Sequence, residues 1–145
     1  MELINYTTIN GKEVYLRLES KNNGDFFKGR FPEYKFHIFL HNSDIIIGHI
    51  NLRFGTDDKL INYLGHIGYG IDSEYRGNKF SLQACKLLKK VLIDYNIPSV
   101  IITSNPDNLS SIKICKELGS TFLGTVSTKE YSDIEIYKSR YEWNI

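Results

Sequence analysis

Two cysteines, three prolines, one methionine and one tryptophan are few for a chain of 145 residues, and each scarcity closes off a class of protein. Cys85 and Cys115 stand far apart, in amphipathic patterns, with neither CxxC nor metal-ligand spacing. That excludes a disulfide scaffold and a zinc module, no metal is expected, and the expectation is a cytoplasmic protein with reduced core thiols. No apolar run approaches the roughly 18 residues that a membrane span requires. The opening MELINYTTINGKEVYL lacks the basic and apolar regions of a signal peptide. A charge excess is missing too: 18 Lys and Arg stand against 17 Asp and Glu, a net charge of +1, so no global field points to nucleic acid. What is present is 41% hydrophobic residues without repeat, linker or low-complexity tract, which predicts one core and one domain over residues 1–145.

Periodicity along the chain predicts strands at Val14–Leu18, Lys35–Leu40 and Ile45–Phe54, with a hairpin turn at His41–Asp44. Asn22–Tyr34 reads as a loop with short helical turns, and Gly55–Leu60 as a polar turn before a further strand, Asn62–Ile71. Leu82, Cys85, Leu88, Leu92 and Tyr95 recur at helical spacing over Ser81–Tyr95, which Pro98 closes. Then come a buried strand Val100–Thr103, a helix Asn108–Leu118, a strand Thr121–Val126 and a last strand Asp133–Trp143 containing Ile134, Ile136 and Tyr141. A meander followed by strand, helix, strand, helix and two strands predicts an α/β (α+β) domain with a mixed sheet and helices packed on it.

The densest chemistry lies in Gly68–Ser81, GYGIDSEYRGNKFS, a strand running through a polar Gly-containing loop into a helix. Such a helix start presents unpaired N–H groups and a positive dipole end, and so an anion site. Arg76 opens the loop, Gly77 and Asn78 tolerate positive φ, and Lys79 adds a cation. A second segment, Asn108–Gly119, NLSSIKICKELG, has a capped helix start and a glycine stop. Together the two segments resemble the GNAT superfamily of acetyl-coenzyme A dependent N-acetyltransferases. The first signature of that family, Arg/Gln-x-x-Gly-x-Gly/Ala, falls on Arg76, Gly77, Asn78, Lys79, Phe80 and Ser81, with Lys79 in place of the first loop glycine and Ser81 in the small final position. The second, Asn-x-x-Ser/Ala with a closing Leu-Gly, is met by Asn108, Ser111, Leu118 and Gly119. Ile67, Gly68, Tyr69 and the run Tyr75, Arg76, Gly77 echo the branch that acetylates ribosomal-protein N-termini.

The resemblance implies a GNAT-like, mostly antiparallel central sheet with helices on both faces and a splayed strand pair, acetyl-coenzyme A as co-substrate, and a small-molecule or peptide amine as acceptor. It implies that the backbone of Tyr69, Gly70 and Ile71 pairs with pantetheine and that the amides of Arg76 to Ser81 cradle the pyrophosphate. Lys79 reads either as a phosphate contact or as an ordinary surface lysine. His66, on the strand before the loop, is the candidate base, with an ordinary pKa near 6.5; its alternative is a half-buried histidine holding a carbonyl. His49, on the neighbouring strand, would face the same cleft if the register allows. Cys115 occupies the position at which the family often carries an acidic Tyr, and reads either as proton donor or as core packing. Asn108 reads as a pantetheine contact, a helix cap, or both, and Ser111 shares its signature.

Substrate choice is expected from the loop Asn22–Tyr34, where Phe26, Phe27, Phe31 and Tyr34 read either as an aromatic lid or, for half of them, as core seals, and from the last strand pair, whose edge permits a homodimer. Asp57, Asp58, Glu74 and Asp133 form no cluster for a cationic amine. Two rival readings stand beside the enzyme: a degenerate member that binds acyl-coenzyme A without turnover, and an unrelated nucleotide-phosphate binder.

Overall fold

The computed structural model describes residues 2–145. Strands β1 (Thr8–Asn10), β2 (Val14–Asn22), β3 (Glu33–Leu40), β4 (Ile46–Arg53) and β5 (Ile67–Ile71) form a five-stranded antiparallel sheet in chain order. Helices α1 (Phe80–Leu87) and α2 (Lys89–Asp94) lead to β6 (Ser99–Ser104), and α3 (Leu109–Glu117) leads on to β7 (Thr121–Ser127). With β8 (Tyr137–Asn144) these strands make a second antiparallel sheet in the order β6-β8-β7. Alternation along each strand sorts the faces. The cross-strand pairs Leu16 with Ile38, Phe36 with Ile50 and Tyr34 with Leu52 put fully buried side chains on one face, and α1 lies across β2 and β5 on it. Leu16, Phe36 and Ile38 each contribute roughly 1.5–3 kcal/mol by that burial. Ala84, Cys85, Leu88, Val91 and Leu92 of the two helices share one core with Val100, Ile102 and Trp143 of the second sheet.

The alternate residues, Tyr15, Arg17, Lys35, His37 and His49, face the other side of the five-stranded sheet. There the Arg17 guanidinium lies 4.9 Å from the centre of the Phe39 ring. A π-helical turn, Leu60–Leu64, covers β6 and β8 instead, with Thr103 Oγ1 donating to Tyr63 O at 3.0 Å. The two sheets touch at one seam, where His66 N–H donates to Ile101 O at 2.8 Å. Beyond it no ladder joins β5 to β6, and the strand pair opens as the splay requires.

Four expectations are corrected. The strand expected over Asn62–Ile71 begins only at Ile67, because burial of Leu60 and the bond from Gly65 N–H to Leu60 O (2.7 Å) wind residues 60–64 into the π turn. At Gly65, with φ +74, a Cβ would lie 3.0 Å from Thr103 N. The last strand begins at Tyr137 and not at Asp133, since Thr128, fully buried, holds Ile136 through both its backbone N–H and its hydroxyl and leaves Ile134 73% exposed in a turn. The long helix expected over Ser81–Tyr95 is two helices that meet at Leu88. The four aromatics expected as a lid divide: Tyr34 is core, its hydroxyl donating to Ile4 O, while Phe26 and Phe27 project into solvent at 92% and 96% exposure. Among the described residues no helix is long and apolar enough to cross a membrane.

Candidate active site

The loop after β5 owes its shape to alternating backbone signs. Arg76 has φ −72 and Gly77 φ +88, Asn78 is not among the positive-φ residues, and Lys79 returns to φ +61. Alternation of this kind turns successive N–H groups inward to a concave nest suited to an anion. Lys79 is the residue before α1, in the left-handed region, and no side chain caps the helix, so the first-turn amides remain open to the cleft. Asn78, expected to carry positive φ, does not: its Nδ2 donates to Tyr75 O at 3.2 Å. Arg76 clamps the end of β5 by donating from Nε to Ile71 O at 2.9 Å.

A cleft of about 530 Å³ follows this loop on the helix side of the opening. Tyr69, Gly70 and Ile71 of β5 form one wall, and Arg76, Gly77, Lys79, Phe80 and Ser81 form the floor. Asn108 and Ser111 of α3 form the opposite wall. Of the residues expected to bind cofactor, only Asn78 lies outside the lining. Sequence reading passed over Ser110, Lys113, Ile114 and Glu117, which also line the cleft, although their spacing of three to four residues marks one face of α3. Across the cleft mouth Lys79 Nζ lies 3.4 Å from Glu117 Oε1.

A second cleft of about 330 Å³ reaches the same opening from the other side, between Arg53, Tyr63, Gly68, Thr103, Asn105 and Lys138. Tyr69, Asn108 and Ser111 line both clefts. In the gap Tyr69 Oη and Ser111 Oγ are 2.8 Å apart. Asn108 Oδ1 accepts from Ser111 N–H at 3.2 Å as the cap of α3, leaving its NH2 group available, so its expected double role is sterically open. Burial pushes the Tyr69 phenol well above its ordinary range, which keeps it protonated at neutral pH.

The two residues expected to do catalysis lie elsewhere. His66 has both ring nitrogens engaged by backbone: Ile101 N–H donates to Nδ1 at 2.8 Å, and Nε2 is 2.9 Å from Gly55 O. That pair of partners requires the neutral ring with its proton on Nε2. Burial lowers its pKa, partly offset by the Gly55 carbonyl. His66 therefore pins the seam between the sheets and has no lone pair for a substrate, because β6 approaches β5 directly beneath it. Cys115 is fully buried beneath α3 outside both clefts, and burial pushes its thiol up to about 11, partly offset by a hydrogen bond from Ser120. It packs the core. His49 pairs with Gly70 but its ring lies over the open face, where a Cβ on Gly70 would meet Cε1 at 2.8 Å.

A family model described as an acetyltransferase (GNAT) domain matches residues 8–121. No curated protein matches the chain. Among solved structures, RimL, the ribosomal L7/L12 alpha-N-protein acetyltransferase in complex with coenzyme A, superposes with a TM-score of 0.70 at 15% identity, covering 95% of this chain and 98% of that one. The Salmonella typhimurium acetyl transferase that modifies the N-terminal serine of 50S ribosomal subunit protein L7/L12 gives 0.68 at 15% identity, with coverage of 95% and 99%. The microcin C7 self-immunity acetyltransferase MccE, in complex with acetyl-CoA and AMP, gives 0.60 at 18% identity, covering 78% of this chain and 61% of that one. At such identities the structures speak to the fold, which all three share with this chain. The domain match spans most of the sequence, and the chain belongs to the GNAT family of acetyltransferases, enzymes that draw their acetyl group from acetyl-coenzyme A.

Proposed function

We propose that acetyl-coenzyme A lies in the helix-side cleft and that a primary amine, on a small molecule or at a peptide N-terminus, enters through the opposite one. The hydroxyl pair of Tyr69 and Ser111 in the shared opening carries this reading. Acetyl-coenzyme A supplies a thioester whose carbonyl carbon accepts the amine. The amides of Tyr69 and Ile71, which alternate with those bonded to β4, pair with the pantetheine arm alongside Gly70, and the nest from Arg76 to Ser81 with the α1 N-terminus takes the pyrophosphate. Arg76, Lys79 and Lys113 add positive charge to that wall. On transfer a carbon–nitrogen bond forms, the carbon–sulfur bond breaks, and the departing sulfur takes its proton from the Tyr69–Ser111 pair. Water receives the proton that the amine nitrogen sheds and returns one to the hydroxyl pair.

No carboxylate or imidazole is among the residues lining the acceptor cleft. The amine therefore reacts as the free base it brings with it. An α-amine, with a pKa of about 8, offers at neutral pH roughly two orders of magnitude more free base than a lysine side chain at about 10.4. An α-amine fits the action of the two L7/L12 acetyltransferases, of which one modifies an N-terminal serine. The two thiols, both buried, are consistent with a reducing cytoplasm.

Calorimetric titration with acetyl-coenzyme A, followed by a free-thiol assay with α-amine acceptors, tests the reading. Expected are saturable binding and amine-dependent thiol release that rises with pH up to the pKa of the acceptor, without a histidine limb near 6.5. Binding without thiol release on any amine would select the non-catalytic acyl-coenzyme A binder, and a folded protein that fails to bind would remove coenzyme A from the cleft.

A further inference from the structure

Positive charge gathers on the proposed acceptor side of a chain that is nearly balanced as a whole. Next to the acceptor cleft, and sharing Arg53 and Leu64 with it, lies a basin of about 360 Å³. Arg30, Lys35, Arg53 and Lys59 line this basin, against the single carboxylate of Glu33. Lys138 adds a further cation in the cleft itself. The whole chain carries a net charge of only +1, so this excess is local.

Glu33 does not cancel it. Its carboxylate is shared between Arg53 Nε at 3.3 Å and Lys35 Nζ at 3.9 Å, while among the described residues Arg30 and Lys59 form no ion pair with a carboxylate. Arg53 is also the best-oriented donor at the junction. Glu33 holds its Nε, Gly65 O accepts from Nη1 at 3.3 Å, and the guanidinium lies across Gly68, where a Cβ would stand 3.5 Å from Nη1 and 3.6 Å from Nη2. Glycine at position 68 thus leaves room for a guanidinium whose Nη2 has no partner among the described residues and whose place is the boundary between basin and cleft.

We infer that the acceptor carries an anionic group, carboxylate or phosphate, close to its amine, and that the basin lined by Arg30, Lys35, Arg53 and Lys59 receives it. This rests on the proposed acetyl transfer and names the acceptor class for the same site. Opposite charge at close range holds such an acceptor with its amine directed into the neighbouring cleft. The same cations disfavour an ammonium in that cleft and favour the free amine, a task for which the cleft offers no side-chain base. A neutral acceptor gains the second effect alone, and a cationic one is repelled.

The experiment compares kcat/KM for Ala-Asp-Asp amide, Ala-Ala-Ala amide and Ala-Lys-Lys amide, and for 2-aminoethyl phosphate against ethanolamine. The enzymes are wild type and the double charge reversal Arg30→Glu with Lys59→Glu, both at exposed positions. Calorimetric binding of acetyl-coenzyme A is measured alongside. Expected for wild type is a preference for the anionic acceptor of about tenfold or more over its neutral counterpart, weakening as potassium chloride is raised, and lost or inverted in the double variant. The peptide and phosphate arms report which anion the basin prefers. Equal rates across each series, a preference for the lysine peptide, or a preference that the double variant leaves intact would overturn the inference while acetyl transfer stands. Acetyl-coenzyme A binding with no acetylation of any acceptor would instead overturn the transfer reading, and the inference with it.

Discussion

The two clefts that meet at Tyr69 are built by different means. The helix-side cleft is shaped by main chain: alternating φ signs at residues 76–79, an uncapped α1 and the freed edge of β5. The cleft proposed for the acceptor is shaped by side chains from separate elements, Arg53 of β4, Tyr63 of the π turn, Thr103 of β6 and Lys138 of β8. Main-chain shape survives drift in side chains: Lys79 holds the left-handed conformation at the place of a signature glycine. A side-chain cleft changes its ligand with every substitution, which suits a constant co-substrate on one side and a variable acceptor on the other.

The largest test of this contrast is at the seam that holds both clefts open. With Gly55 O, at an exposed position, returning to water, His66→Ala leaves the buried Ile101 N–H without its partner and should destabilise the fold by about 1–3 kcal/mol, the cost of one unsatisfied buried group; urea denaturation measures it. The pH dependence has a definite sign. Folding lowers the His66 pKa, so the contribution of the neutral ring is full above its ordinary value near 6.5 and is lost as pH falls through the window below it. The alanine variant should lack that acid-side loss. Retained wild-type stability would remove His66 from the seam.

Next in size is Tyr69→Phe, which removes one of the two hydroxyls at the shared opening while keeping the ring. A fall of about 100-fold in kcat is expected, with acetyl-coenzyme A affinity nearly unchanged; an unaltered kcat would leave protonation to Ser111 or to water. Arg76→Ala should act on the other half alone, weakening acetyl-coenzyme A about tenfold, or about 1.4 kcal/mol, by releasing Ile71 O and removing a cation, with the ratio of rates between acceptors preserved. A changed acceptor ratio would mean that the clefts are not separable. The smallest effect belongs to Lys79→Gly. Relief of left-handed strain, about 1 kcal/mol, is offset by the added freedom of glycine in the unfolded chain and by loss of the exposed pair with Glu117. Stability should move by less than about 0.5 kcal/mol, while coenzyme affinity falls a few-fold through the lost cation.

Much of the first cleft was legible in sequence because its determinants are contiguous: a strand end, a Gly-containing loop, a helix start, and a capped helix whose Asn108 and Ser111 are three residues apart. His66 and Cys115 stay open in sequence between a catalytic and a structural reading for a common reason. Position along a strand or helix says that a side chain lies near the site, whereas its partners come from residues distant in sequence, Gly55 and Ile101 for the histidine and the core beneath α3 for the thiol. The aromatic loop is similar: alternation leaves open which of its rings seal the core, and packing decides that Tyr34 is buried, its hydroxyl 2.8 Å from that of Tyr95, while Phe26 and Phe27 stay outside.

Element order, the hairpin meander, the loop from Arg76 to Lys79 and the capped α3 follow from interactions among neighbours in the chain, where propensity, glycine and caps act at short range. The cross-strand register that gathers Arg53, Lys35 and Glu33 around one basin, the seam that consumes His66, and the meeting of Tyr69 with Ser111 depend on contacts between segments far apart in sequence. Only packing both sheets around a common core brings these groups within bonding distance, and so the reactive opening is a property of the assembled fold.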